Sequence, residues 1–137
     1  MHVQVRNHIA IDAPVSAAWD VLTDVETWPK WTPTVSFVRV ETPGPLSVGS
    51  TVLLRQPLQK PAQWKITEWK SPHRFIWETK AGAVRFRAEH KLEAIGNGTR
   101  SGLVLDAWGR SVSLLRPAFA LALFLENRAL KHRVERQ

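Results

Sequence analysis

The stretch Ser111–Gln137, SVSLLRPAFALALFLENRALKHRVERQ, decides how the rest of the chain is read. It is the only segment long and periodic enough for a substantial helix, and the remainder reads mostly as strand. Leu115, Phe119, Leu123, Leu130 and Val134 recur at helical spacing and form one stripe. Asn127 falls on the same stripe, where a plain core helix carries a leucine. Every residue from Ala118 to Leu125 is apolar, so the first half of the helix is greasy all round and calls for a concave partner. Pro117 lies inside the pattern, which predicts either a kink there or a helix that starts close to it.

Upstream, the partner is built from strands. His2 to Asp12 alternates, with Val3, Val5, Asn7, Ile9 and Ile11 on one face and Gln4, Arg6 and His8 on the other, which predicts a half-buried strand. Asp12-Ala13-Pro14 breaks it, with Pro14 suited to the first turn of a helix. Val15, Ala18, Trp19 and Leu22 then give a short amphipathic helix ending near Asp24. Pro29 and Pro33 interrupt the next piece, so a single helical turn that plants Trp28 and Trp31 against the domain is expected.

Six strand-like runs follow: Val35 to Glu41, Gly49 to Gln56, Gln63 to Lys70, Arg74 to Lys80, Ala83 to Ile95 and Thr99 to Gly109. Gly96-Asn97-Gly98 is the strongest hairpin signal, because Asn and Gly adopt positive φ at little cost. Successive hairpins imply an antiparallel meander with one dry face. Phe75, Trp77, Val84, Phe86, Ala88, Leu92, Leu103, Leu105 and Ala107 mark that face, while Arg85, Arg87, Glu89, Lys91 and Glu93 meet water. Trp69 and Trp108 fall on the opposite phase and are expected to cover the outside. The fold class is α+β: a curved seven-stranded antiparallel sheet wraps a long C-terminal helix, with two short helices after strand 1. Residues 1–137 are read as a single domain.

Composition removes several functions. The chain has no cysteine, which excludes disulfides, thiolate metal sites and a Cys nucleophile. The opening MHVQVRNHIAID alternates and shows no basic segment followed by an apolar block, so no signal peptide is read and a cytoplasmic location is expected. The longest apolar run is far short of the ~20 residues that span a bilayer. The net charge of +7 is interleaved with acids, as in KITEWK and RFRAEHKLE. Solubility accounts for it, and no nucleic-acid partner is expected. An all-round apolar helix segment also suits a self-contact, so a homodimer stays open. There is no H-E-x-x-H, no Gly-rich phosphate loop and no G-x-S-x-G elbow. His2 and His8 are too far apart for a tight chelate, and neither metal nor cofactor is expected. No nucleophile–base–orienter set assembles, which leaves enzyme function open.

Several short motifs, in order, resemble a known superfamily. They are I-x-I-x-A-P-x-x-x-x-W (Ile9, Ile11, Ala13, Pro14, Trp19) and D-x-x-x-W-P-x-W (Asp24, Trp28, Pro29, Trp31). Then come W-x-I-T-E from Trp64, R-F-I-W from Arg74, H-x-L-E from His90 before the G-x-G-T hairpin, and E-N-R-A-L-K from Glu126. Together they resemble the START-like (SRPBCC) superfamily, whose helix-grip fold is shared with the polyketide cyclase/dehydrase and lipid-transport group.

That resemblance implies a hydrophobic cavity between sheet and helix, with inward polar groups orienting a ligand. Trp64, Ile66, Trp77, Thr79, Phe86, His90, Leu105, Phe119, Leu123 and Asn127 are the expected lining. His90 is either an acid/base group or a core histidine held by a partner. Asn127 is either a ligand donor or a structural bond-former, and Glu126 is assigned to the rim. Three functions follow: a binder of a small hydrophobic molecule (a lipid, polyketide-like compound or aromatic metabolite), a cyclase or dehydratase using His90 with Asn127, and an interaction module like the chaperone co-activators.

Overall fold

The alternation at the N-terminus becomes strand β1 (His2–Ile11) in the computed structural model, which describes residues 1–137. Pro14 sits one residue before α1 (Val15–Thr23), in extended backbone at φ −68° and ψ 159°, and not within the first turn as expected. A ring-fixed φ near −65° suits a cap position equally well. The Pro14 carbonyl accepts from the amides of Ala17 and Ala18. After α1, a 3₁₀ turn (Val25–Thr27) leads into α2 (Trp28–Trp31). This short turn holds Trp28 at 1% exposure, with its indole N–H donating to the Leu22 carbonyl at 2.9 Å.

The remaining strands are β2 (Phe37–Val40), β3 (Thr51–Arg55), β4 (Ala62–Lys70), β5 (Arg74–Ala81), β6 (Val84–Ile95) and β7 (Gly98–Trp108). They form one sheet in the order β1-β7-β6-β5-β4-β3-β2, antiparallel throughout. The first strand therefore lies against the last, from His2 opposite Trp108 to Ile11 opposite Thr99. The curved open sheet with the long helix on its concave side is the helix-grip arrangement.

One register change corrects the reading of Trp69. The pairing of β4 with β5 shifts between Ile66 and Glu68, so Trp69 lies opposite Phe75. A bulge adds one residue and switches the phase of everything beyond it. Trp69 accordingly points inward and packs on Trp19 at 5.2 Å and Phe75 at 5.6 Å, not on the outer surface. Trp108 stays outside, stacked on His2 at 4.9 Å and under the Arg85 guanidinium.

The long helix α3 (Arg116–Glu135) begins next to Pro117 and follows a 3₁₀ turn at Val112–Leu115. A proline in the first turn lacks only an amide that has no helical acceptor anyway, so the helix starts there and needs no kink. Leu123, Asn127, Leu130 and Val134 are buried, and the helix packs on β1, β7 and α1. The sheet grips one side only. Leu121 is 56% exposed and Phe124 45%, so the outward apolar residues have no concave partner, contrary to the expectation. No helix is long and apolar enough to cross a membrane.

Buried side chains fall into two clusters. One gathers Trp28, Phe75, Trp77, Leu130 and Val134 with the short helices, and the other gathers Val3, Val5, Leu103, Ala107, Val112 and Leu123. Phe86 packs on both. The seam between them is not filled.

Candidate functional site: a cavity under the C-terminal helix

A cavity of about 230 Å³ occupies that seam, enclosed by β3 to β7 and the first half of α3. Of its 24 lining residues 17 are hydrophobic, so the ligand it suits is mainly apolar. The volume lies just below the roughly 300–1,000 Å³ of drug-sized pockets, which points to a body of one or two rings. Its exposed residues are Gln59 and Lys60 between β3 and β4, Ala81 at the β5–β6 turn, and Leu115 and Ala118 at the start of α3. These form the mouth.

Trp64, Trp77, Thr79, Phe86, His90, Leu105, Phe119 and Leu123 all line the cavity. Trp28, expected to pin the short helices or to stand at the cavity mouth, lines it as well. Ile66 does not reach it, being fully buried in the first cluster. The Thr79 hydroxyl is already committed, donating to the Gln63 carbonyl across the β4–β5 pair at 2.6 Å.

Asn127 is the main displacement from the expected site. Its amide nitrogen donates to Asn7 Oδ1 at 2.9 Å and to the Ser101 carbonyl at 3.0 Å, and its Oδ1 accepts from the Ser101 hydroxyl at 2.7 Å. It therefore ties α3 to β1 and β7 and has little capacity left for a ligand. It does not line the cavity. Ser101 and Asn7 share its inward phase, and that triple of polar residues was the readable sign that the stripe closes on itself.

Glu126, one residue earlier, replaces it. The carboxyl assigned to the rim lines the cavity interior, with its side chain 15% exposed. The sequence carried the signal: Phe119, Ala122 and Glu126 follow i, i+3, i+7 along the cavity-facing flank of the helix. Its Oε1 lies 4.0 Å from His90 Nδ1, close but beyond hydrogen-bond length. His90 is 4% exposed, stacked on Phe75 at 4.5 Å and flanked by Trp28 at 5.7 Å and Trp77 at 5.8 Å.

Burial acts on both groups by opposing charge. It holds the His90 imidazole down at about 3 and pushes the Glu126 carboxyl up to about 7. His90 is thus neutral at pH 7, and Glu126 is poised at its titration point. His90 Nδ1 and Trp64 Nε1 are buried with no hydrogen-bond partner. Buried polar groups are nearly always satisfied, so two unpaired groups around one apolar cavity set it apart from the rest of the core. No group of three or more His, Asp or Glu side chains is arranged to hold a metal ion.

The sequence matches the family described as polyketide cyclase / dehydrase and lipid transport over residues 2–135. The chain belongs to this family. No curated protein sequence matches it. Among solved structures, it is similar to the Zhui aromatase/cyclase from Streptomyces sp. R1128, with a TM-score of 0.84 and 16% identity over 99% of this chain and 95% of that one. It is also similar to a START superfamily protein from Mycobacterium smegmatis, with a TM-score of 0.78 and 16% identity over 99% of each chain. A hypothetical protein, jhp0584, from Helicobacter pylori superposes with a TM-score of 0.87 at 12% identity, covering 96% of this chain and 88% of that one. At these identities the likeness establishes the fold. Family membership supports a polyketide cyclase or lipid-binding setting, and the choice within it rests on the cavity.

Proposed function

We propose that this family member binds a small, mainly apolar ligand in the cavity under α3. The observation that carries the reading is the unfilled seam of about 230 Å³ with a hydrophobic lining and a mouth at the surface. A fold that needed only a core would close such a gap, because an empty apolar space forfeits packing at about 24 cal/mol per Å³. A pure interaction module needs no such space, and the cavity argues against that alternative.

Neutral one- and two-ring compounds are the first ligands to test. Naphthol at about 100 times its dissociation constant is expected to stabilise the fold by about 2.7 kcal/mol, read as a rise in melting temperature. Ala122 faces the cavity from α3, and Ala122→Phe is expected to remove that response while the variant still melts cooperatively. If neither naphthol nor a panel of such compounds shifts the wild-type transition, the reading fails.

A second reading is supported by the His90–Glu126 pair. A carboxyl near its titration point is suited to proton transfer, and the neutral imidazole beside it, held too weakly basic to be the base, can donate a hydrogen bond to a developing oxyanion. On an enolisable ketone, the Glu126 carboxylate would take the proton from the carbon next to the carbonyl while the neutral His90 N–H donates a hydrogen bond to the oxygen of the enolate that forms. The Zhui structure is named as an aromatase/cyclase, which is compatible chemistry. Glu126 takes the role first given to Asn127. His90→Ala is then expected to abolish turnover and leave naphthol stabilisation largely intact. Turnover that survives His90→Ala rules the pair out.

A further inference from the structure

The sign of charge around the cavity points to the functional group of the ligand. Trp28, Trp64, Trp77 and Phe86 present aromatic surface to it, and ring faces carry the negative end of their quadrupole, which attracts cations. Glu126 lines the cavity too, and its carboxyl has no hydrogen bond and no Lys or Arg partner; the buried, unpaired His90 Nδ1 lies 4.0 Å from it. The other titratable side chains around the cavity do not neutralise it. Glu89 on β6 pairs with Arg74 at 3.5 Å, and Lys60 before β4 stands exposed at the mouth. His90 itself is held neutral by burial.

A carboxylate without a partner, 15% exposed on a mainly apolar wall, is costly until something brings it a counter-charge. An anionic ligand meets both the carboxyl and the ring faces with the wrong sign. A neutral ligand leaves Glu126 without a partner whenever it ionises. A protonated amine satisfies both features at once.

We propose that the cavity takes a lipophilic amine of one or two rings in its ammonium form, with the nitrogen beside the Glu126 carboxylate and the rings against the aromatic wall that Trp28, Trp64, Trp77 and Phe86 line. This rests on the ligand-cavity reading above and adds to it the charge and functional group. The ammonium holds Glu126 ionised, and in return the aromatic wall covers the ligand's apolar body. The cavity volume of about 230 Å³ sets the size limit.

Three probes that share one ring system separate the alternatives: naphthylethylamine, naphthylethanol and naphthylacetate, each titrated calorimetrically into the wild-type protein and into Glu126→Gln. At pH 7.5 the amine is expected to bind about tenfold tighter than the alcohol, and the acetate weakest of the three. In Glu126→Gln the amine should lose its advantage over the alcohol, and continued binding of the alcohol reports that the cavity is still open. On the wild-type protein the amine affinity should also rise about tenfold between pH 6 and pH 8 as Glu126 ionises, a readout that needs no variant. An alcohol that binds as tightly as the amine, or an amine affinity flat across that range, overturns the charge assignment and leaves the cavity reading standing. If none of the three binds the wild-type protein, the cavity reading fails together with it.

Discussion

Asn127→Ala is expected to destabilise the fold by about 3 kcal/mol, without direct effect on the cavity lining. The size follows from what the side chain holds. Three hydrogen bonds connect Asn127 to Asn7 on β1 and to the hydroxyl and carbonyl of Ser101 on β7. Asn127 and Ser101 are each 1% exposed, so water cannot replace the lost partner. A net bond is worth about 1 kcal/mol, and each buried group left unpaired adds its own desolvation penalty. The double variant Asn127→Leu with Ser101→Ala should recover part of the loss, since removing both partners leaves fewer orphans than removing one. Urea denaturation of the single and double variants checks both statements. A single variant within about 0.5 kcal/mol of wild type would show that the triple bonds to water instead.

The second large effect is on the pH dependence of stability, and it has two opposing legs. The folded pKa of Glu126 is raised to about 7, so the stability it contributes is fully present below its unfolded value near 4.5 and is lost as pH rises through about 7. The folded pKa of His90 is lowered to about 3, so its contribution is present above 6.5 and is lost as pH falls toward 3. Between pH 4.5 and 6.5 the folded protein keeps a proton that the unfolded chain has lost from Glu126, and lacks one that the unfolded chain has gained on His90. The two slopes cancel. Wild-type stability is therefore expected to be nearly flat across this window with respect to these groups. Each variant then exposes the other's leg: Glu126→Gln should gain stability with rising pH, and His90→Gln should lose it, each by on the order of 1 kcal/mol per pH unit. Urea midpoints at pH 4.5, 5.5 and 6.5 provide the measurement. Parallel profiles for all three proteins would mean that neither group is desolvated.

Much of the fold was legible because the physical signals were local. Strict alternation marked β1, the Gly96-Asn97-Gly98 turn marked the β6–β7 hairpin, and a leucine stripe marked α3. Two kinds of information were not local. The bulge after Ile66 has no compositional mark, yet it reverses the direction of Trp69. The pairing of β1 with β7 joins residues some hundred positions apart, and only that pairing brings Asn7 and Ser101 to Asn127. The same limit shaped the site. Its apolar walls followed from strand phase, while the exchange of Asn127 for Glu126 turned on a single helical step. Its place on the central stripe left Asn127 either a ligand donor or a structural bond-former, and it is the second because the centre of the stripe faces the sheet. The cavity lies toward its flank, where Phe119, Ala122 and Glu126 point.

The central claim, that the seam between sheet and helix is a ligand site, is tested most directly by a crystal soaked with bromonaphthol and measured at the bromine absorption edge. The expected result is a bromine peak inside the cavity, between the Trp64–Trp77 wall and the Ala122–Glu126 flank of α3. A cavity found closed, with a tryptophan swung into it and bromine only on the outer surface, would contradict the account.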